Sequence, residues 1–122
     1  MKPAPTERVV HTSILHWLRN VLPGSAFIAH TPMEGRRGWK SQRDLKALGA
    51  VAGMPDLGVI WDGCAYFLEV KRPAPSKTYP SKAQRACHAK LEAAGEKVAV
   101  VRSIEDARDA LKAWKIPTKE FL

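Results

Sequence analysis

GMPDLGVIWDGCAYFLEVK, residues Gly53 to Lys71, contains two apolar runs separated by Asp62-Gly63. Leu57 to Trp61 and Cys64 to Lys71 read as strands. The Asp-Gly pair between them is a strong two-residue hairpin signal, because the favoured turn needs positive φ at both central positions. With that turn Trp61 pairs with Cys64. Stepping outward, Ile60 meets Ala65, Val59 meets Tyr66, Gly58 meets Phe67 and Leu57 meets Leu68. The next pair is Asp56 with Glu69. Directly opposite residues share a face, with Cβ atoms about 4.5–5.5 Å apart. Lys71 follows Glu69 by two positions and projects to that face as well. The spacing predicts two carboxylates and one ammonium at the open end of a hairpin. A three-residue bulged loop would instead put Asp56 and Glu69 on opposite faces.

Two carboxylates about 5 Å apart repel by roughly 3 kcal/mol at an effective dielectric near 20. That is a large penalty against a domain stability of about 5–15 kcal/mol. Lys71 offsets part of it. A divalent cation offsets more, and hard oxygen ligands suit Mg²⁺ or Mn²⁺. The competing reading is a frayed hairpin end, with both acids in water and Lys71 in a surface ion pair.

Outward from the hairpin, Thr6 caps a helix to about Val21, with Val10, Ile14, Trp17, Leu18 and Val21 as its apolar stripe. Pro23-Gly24 stops it, and Ser25 to Thr31 reads as a strand ended by Pro32. Met33 to Arg43 reads as a polar, basic loop, and Leu45 to Val51 as one or two helical turns. On the other side, Arg72 to Pro80 is a proline-rich connection. Ser81 opens a helix to about Ala94, with Gly95 as its C-terminal cap. Lys97 to Arg102 is a strand. Ser103 caps a last helix bearing Ile104, Ala107, Leu111 and Trp114, which Pro117 ends. This order implies one α/β domain over residues 1–122, a mixed sheet flanked by helices, with short tails at about 1–5 and 116–122.

The chain has 122 residues and a formal net charge of +8, from 20 Lys plus Arg against 12 Asp plus Glu. Arg36, Arg37, Lys40, Arg43 and Lys46 cluster around a single acid, Asp44. From Val70 to Leu91 there is no acid, while Lys71, Arg72, Lys77, Lys82, Arg85 and Lys90 are present. Such clusters suit a phosphate-binding surface, though they also suit a solvated basic face. The two cysteines have no paired spacing, so neither a disulfide framework nor a zinc site is expected. No signal segment, membrane span or G-x-x-x-x-G-K motif is present, which points to a soluble cytoplasmic protein with no nucleotide cofactor.

GMPD, the thirteen positions from Asp56 to Glu69, and EVK resemble the PD-(D/E)xK nuclease signature. More narrowly, LGAVAGMPDLGVI, FLEVKRP, Ser81-x-x-Gln84, LEAAG and VAVVRS occur in the order of the VRR-NUC family. The likeness runs from about Glu7 to Leu111, and the small size is similar to stand-alone phage or bacterial members. It implies a restriction-endonuclease-like fold and Mg²⁺- or Mn²⁺-dependent phosphodiester hydrolysis. It also implies Asp56, Glu69, the Val70 carbonyl and Glu7 as metal ligands. Lys71 would orient or deprotonate the attacking water, and Gln84 would join the active site. The implied substrate is DNA, in branched form such as a Holliday junction, cut by a homodimer.

Several of these residues have a second explanation. Glu7 suits a helix N-terminus, yet it falls in line with His11, Ile14 and Leu18 on the inward stripe. Gln84 also closes a capping box with Ser81. His88, one turn beyond Gln84, reads as a solvated helix residue, and His16 and His30 likewise. Trp39 lies in the basic loop, where it suits stacking on an unpaired base. Arg36, Arg37, Lys40, Arg43, Lys46, Lys82 and Arg85 are the expected phosphate contacts. Two rival readings share these residues: a DNA-binding module without catalysis, and a nuclease for linear or flap DNA.

Overall fold

The computed structural model describes residues 4–30 and 51–120. Its elements are α1 (Glu7–Val21), β1 (Phe27–His30), β2 (Leu57–Trp61), β3 (Cys64–Val70), α2 (Lys82–Ala93), β4 (Lys97–Val101) and α3 (Ile104–Ala113). One sheet runs β1-β2-β3-β4. The first two pairings are antiparallel and β3 with β4 is parallel. The expected α/β class with a mixed sheet is thus the observed one. The loop at 33–43, with Arg36, Arg37, Trp39, Lys40 and Arg43, lies outside the described residues. So do Lys46 and nearly all of the helical turns expected at 45–51.

The hairpin forms as its turn residues dictate. Asp62 and Gly63 have φ of 50° and 78°, the left-handed pair that a tight hairpin turn needs. The register runs from Trp61 opposite Cys64 to Leu57 opposite Leu68, as the sequence predicts. The ladder stops there, one pair short of Asp56 and Glu69. β1 is shorter than its sequence suggests. The Ala26 amide donates to the Pro23 carbonyl, so a turn holds Ser25 and Ala26 and the strand begins at Phe27.

Alternation along the strands separates two faces. Leu57, Val59, Tyr66, Leu68, Val70 and Val101 face a core closed by α1 and α3. α1 brings Val10, Ile14, Trp17, Leu18 and Val21 to it, the stripe expected of a 3.6-residue period. Glu69 points the other way, between Leu68 and Val70, and α2 covers that side. α2 starts with a complete Ser81–Gln84 capping box. It ends at left-handed Gly95, where the Glu96 amide bonds to the Leu91 carbonyl and the Gly95 amide to that of Glu92. α3 stops before Pro117 by the same device, with Lys115 left-handed at φ 61°. Trp114 therefore caps the helix, with its ring centroid 5.3 Å from that of Tyr66.

The expectation of a loose tail from residue 116 does not hold for residues 116–120. Ile116 and Thr118 are buried, the Lys119 amide bonds to the Val21 carbonyl, and Glu120 accepts from Trp17 and Arg108. The tail straps α1 to α3. No helix among the described residues is long and apolar enough to cross a membrane.

Gly63 has open space around its Cα but a left-handed backbone. Gly63→Ala is expected to cost about 1–2 kcal/mol without changing the register, seen as a lower urea midpoint with an unchanged m-value.

Candidate active site

The site lies where β3 ends. Glu69 is completely buried and Lys71 is 7% exposed, which excludes a frayed, solvated hairpin end. Lys71 Nζ is 3.9 Å from Glu69 Oε2. Asp56 is half-buried just before β2, and its Oδ2 accepts the Val70 amide at 2.7 Å. The carboxylate thus ties the start of β2 to the end of β3 where the ladder has stopped. In a strand, N–H and C=O of one residue point to the same edge. The Val70 carbonyl is therefore directed to the Asp56 side.

Glu69 is also held from α2. Gln84 does two things at once: its Oε1 accepts the Ser81 amide at 2.8 Å, and its Nε2 donates to Glu69 Oε2 at 3.3 Å. Cap and site are not alternatives, because the two ends of the amide serve different partners. His88 corrects the sequence reading. It is buried, with Nε2 3.0 Å from Glu69 Oε1, and is not a solvated helix residue. Four residues separate it from Gln84, so both project from one helical face onto both carboxylate oxygens of Glu69.

The electrostatics follow from this burial. Loss of water, then the hydrogen bond and charge of Asp56, push the Glu69 carboxyl up to about 9, against a smaller downward pull from Lys71. Burial lowers the His88 imidazole from its ordinary value. Both shifts favour a neutral Glu69–His88 pair over an ion pair.

Glu7 is the first residue of α1, half-buried, and its charge also raises the Glu69 carboxyl, as the smallest contribution. Arg72 sets the approach of this helix: its Nε and Nη2 donate to the carbonyls of Pro5 and Ala4, just before the Thr6 cap. Among the described residues no three His, Cys, Asp or Glu side chains stand close enough to enclose a metal. The donor set at the centre is two carboxylates and a main-chain carbonyl. Hard oxygen donors of this kind, with Glu69 buried beside a second acid, fit a small divalent cation that keeps several waters. Lys82 and Arg85 are exposed on the first turn of α2, and Arg85 Nη1 donates to the Pro80 carbonyl. An open surface groove of about 440 Å³ along α1, lined by Arg8, Val9, Thr12, Ser13 and His16, includes none of the cluster.

Gly53 is a residue whose role spacing alone did not reveal. Its φ is +80°, and a Cβ there would lie 2.4 Å from the Ala83 carbonyl oxygen and 2.8 Å from the Gln84 amide nitrogen. The loop before Asp56 thus touches the backbone of α2 at the residue that holds Glu69.

A solved structure described as a VRR_NUC domain protein is similar to this chain, with a TM-score of 0.68 and 20% identity. The match covers 90% of this chain and 88% of the other. The two share a fold, a mixed sheet with helices on both faces, of the restriction-endonuclease-like kind that the sequence resemblance implies. No protein-family model matches the sequence, and no curated protein does.

Two outcomes are expected. Gly53→Ala forces a left-handed alanine, about 1–3 kcal/mol of strain, and a backbone overlap that pushes the Gln84 turn from Glu69. Its melting temperature should fall. Glu69→Gln tests the raised carboxyl. Folded Glu69 holds its proton from its unfolded value near 4.5 up to about 9, so this contribution is complete below that lower value and is lost as pH rises. His88 acts near and below its ordinary 6.5 and Cys87 near and above 9, which leaves pH 7 to 8.5 to Glu69. In metal-free buffer, Glu69→Gln should gain on the wild type by up to about 2 kcal/mol between pH 7 and 8.5, read from paired thermal melts.

Proposed function

We propose that this protein is an Mg²⁺- or Mn²⁺-dependent endodeoxyribonuclease, acting as a homodimer on branched DNA such as Holliday junctions. The observation that carries the hydrolytic reading is the packing of Asp56, Glu69 and Lys71 at one strand end, with Gln84 and His88 on the two oxygens of Glu69. Structural ion pairs rarely bury a carboxylate against a second acid with so little countercharge.

Asp56, Glu69 and the Val70 carbonyl would hold the cation, with Glu7 reaching the site as an outlying acid. When bound, the cation supplies Lewis-acid polarisation of the phosphoryl group and a more acidic water. The protein's own groups do the rest. The Val70 amide fixes one oxygen of Asp56, and Gln84 and His88 fix the plane of Glu69, so both carboxylates are oriented before substrate arrives. Lys71 stands beside them, where its ammonium meets the negative charge that builds on the phosphoryl oxygens and orients the attacking water. Lys82 and Arg85, with the basic loop at 36–46, would contact the DNA backbone. Branched DNA and the homodimer rest on the family resemblance, since a two-fold enzyme suits a two-fold substrate.

The test is cleavage of end-labelled DNA: a four-way junction, a flap, a linear duplex and a single strand, in Mg²⁺ or Mn²⁺ and in EDTA. Junction cuts are expected that disappear in EDTA and in Glu69→Ala, a loss of at least about 10³-fold. Equal cutting of linear DNA would discard the junction reading and keep the nuclease. Tight binding without any cutting would leave a DNA-binding module. Sedimentation that shows only monomer, with and without DNA, would remove the dimer.

A further inference from the structure

We propose that Arg102 and Lys77, both held against the ring of Tyr79, form a second phosphate site that grips the DNA backbone within one or two nucleotides of the bond cut at Glu69. The inference rests on the nuclease reading for the nature of its ligand. Its residues lie outside the carboxylate cluster.

The parallel pairing of β3 and β4 places the site. Val70 stands opposite Val101, so the residues that follow, Lys71 and Arg102, leave the sheet side by side. The Lys71 amide still bonds to the Val101 carbonyl at 3.0 Å. Neighbouring strands are about 4.8 Å apart. The side chain of Arg102 therefore leaves the backbone one strand spacing from that of the candidate catalytic lysine, at the carboxyl ends of two parallel strands, where α/β sheets place their ligands.

The side chains are organised, and no acid among the described residues pairs with their charge. Arg102 Nη1 donates to the Arg72 carbonyl at 2.7 Å, and its guanidinium carbon lies 5.1 Å from the centroid of the Tyr79 ring. Lys77 Nζ lies 5.7 Å from the same centroid. One aromatic ring thus fixes two cations through its quadrupole. Among the described residues, the close contacts between basic and acidic side chains join Lys71 and His88 to Glu69, and Arg108 to Glu120. Neither Arg102 nor Lys77 takes part in them. Of the two acids that follow along the chain, Glu105 and Asp106, Asp106 spends Oδ2 on the Arg102 main-chain amide, and neither pairs with the guanidinium among the described residues. Among the described residues only one of the five guanidinium donors is engaged, which leaves a fork suited to phosphate oxygens. Tyr79 is 68% exposed, so the cluster opens to solvent and to a long anionic ligand.

The experiment uses the full chain and whichever DNA the wild type cuts. Arg102→Gln keeps an amide donor for the Arg72 carbonyl and removes the charge. Lys77→Gln removes the other charge. Tyr79→Phe keeps the ring and Tyr79→Leu removes it. Lys97→Gln, at the far end of β4, is the control. Thermal melts establish that each variant is folded. The salt slope of DNA binding should shrink by about 0.9 in each of Arg102→Gln and Lys77→Gln. KM should rise on the order of fivefold to tenfold, with kcat little changed. Tyr79→Phe should match the wild type, and Tyr79→Leu should share the rise in KM. If the wild type cuts DNA and the slopes of Arg102→Gln and Lys77→Gln equal that of Lys97→Gln, the second phosphate site is wrong and the nuclease stands. If kcat falls while KM and slope stay, the two residues do not form a backbone grip. If the wild type neither binds nor cuts DNA, the nuclease reading fails and the site with it.

Discussion

A carboxylate with no exposure to water is the constraint around which the rest is arranged. Taking a charged group out of water costs several kcal/mol unless partners replace the lost hydration. Glu69 meets that demand with an unusual set: a histidine on one oxygen, a glutamine and a nearby ammonium on the other, and a second acid beside it. The acid beside it works against burial, so the partners do not suffice to keep Glu69 charged at neutral pH. The site is left short of positive charge.

The supporting residues come from three pieces of chain, the segment before β2, the end of β3 and α2, and each piece is fixed by a local rule. The Asp62-Gly63 turn sets the register that carries Asp56 toward Glu69. The capping box fixes the first turn of α2, and with it the direction of Gln84. Arg72 carries the end of β3 to the start of α1, through the carbonyls of Ala4 and Pro5. The sheet supplies a second alignment. Because β4 runs parallel to β3, both strands end on the same side, and their last residues pass their side chains into one region. An antiparallel β4 would have put Lys97 there instead.

Much of this was legible in the residues, for reasons that are local. The hairpin turn, the helix caps at Thr6, Ser81 and Ser103, and the amphipathic stripe of α1 all depend on side chains within a few positions of one another. The grouping of Asp56, Glu69 and Lys71 followed from strand geometry once the turn was read. What escaped depends on docking between distant segments. His88 is four residues from Gln84, and only the seating of α2 on the second sheet face decides that it is buried. Gly53 reads as punctuation, and its contact with Ala83 and Gln84 exists only after folding. Residues 116–120 carry a single large apolar side chain, Ile116, too little to announce a strap, and the rest of their attachment is hydrogen bonds to α1 and α3.

The double use of Gln84 limits what evolution can write at that position. A capping box accepts glutamate as readily as glutamine, because only the acceptor oxygen matters to the helix. Here the far atom of the same group must be a donor, since it faces an oxygen of Glu69. Glutamate would keep the helix start intact and set a third carboxylate against the buried pair, while asparagine would be one methylene short. The helix alone tolerates two residue types, the site tolerates one, and a drift that leaves the fold untouched would still be visible to selection.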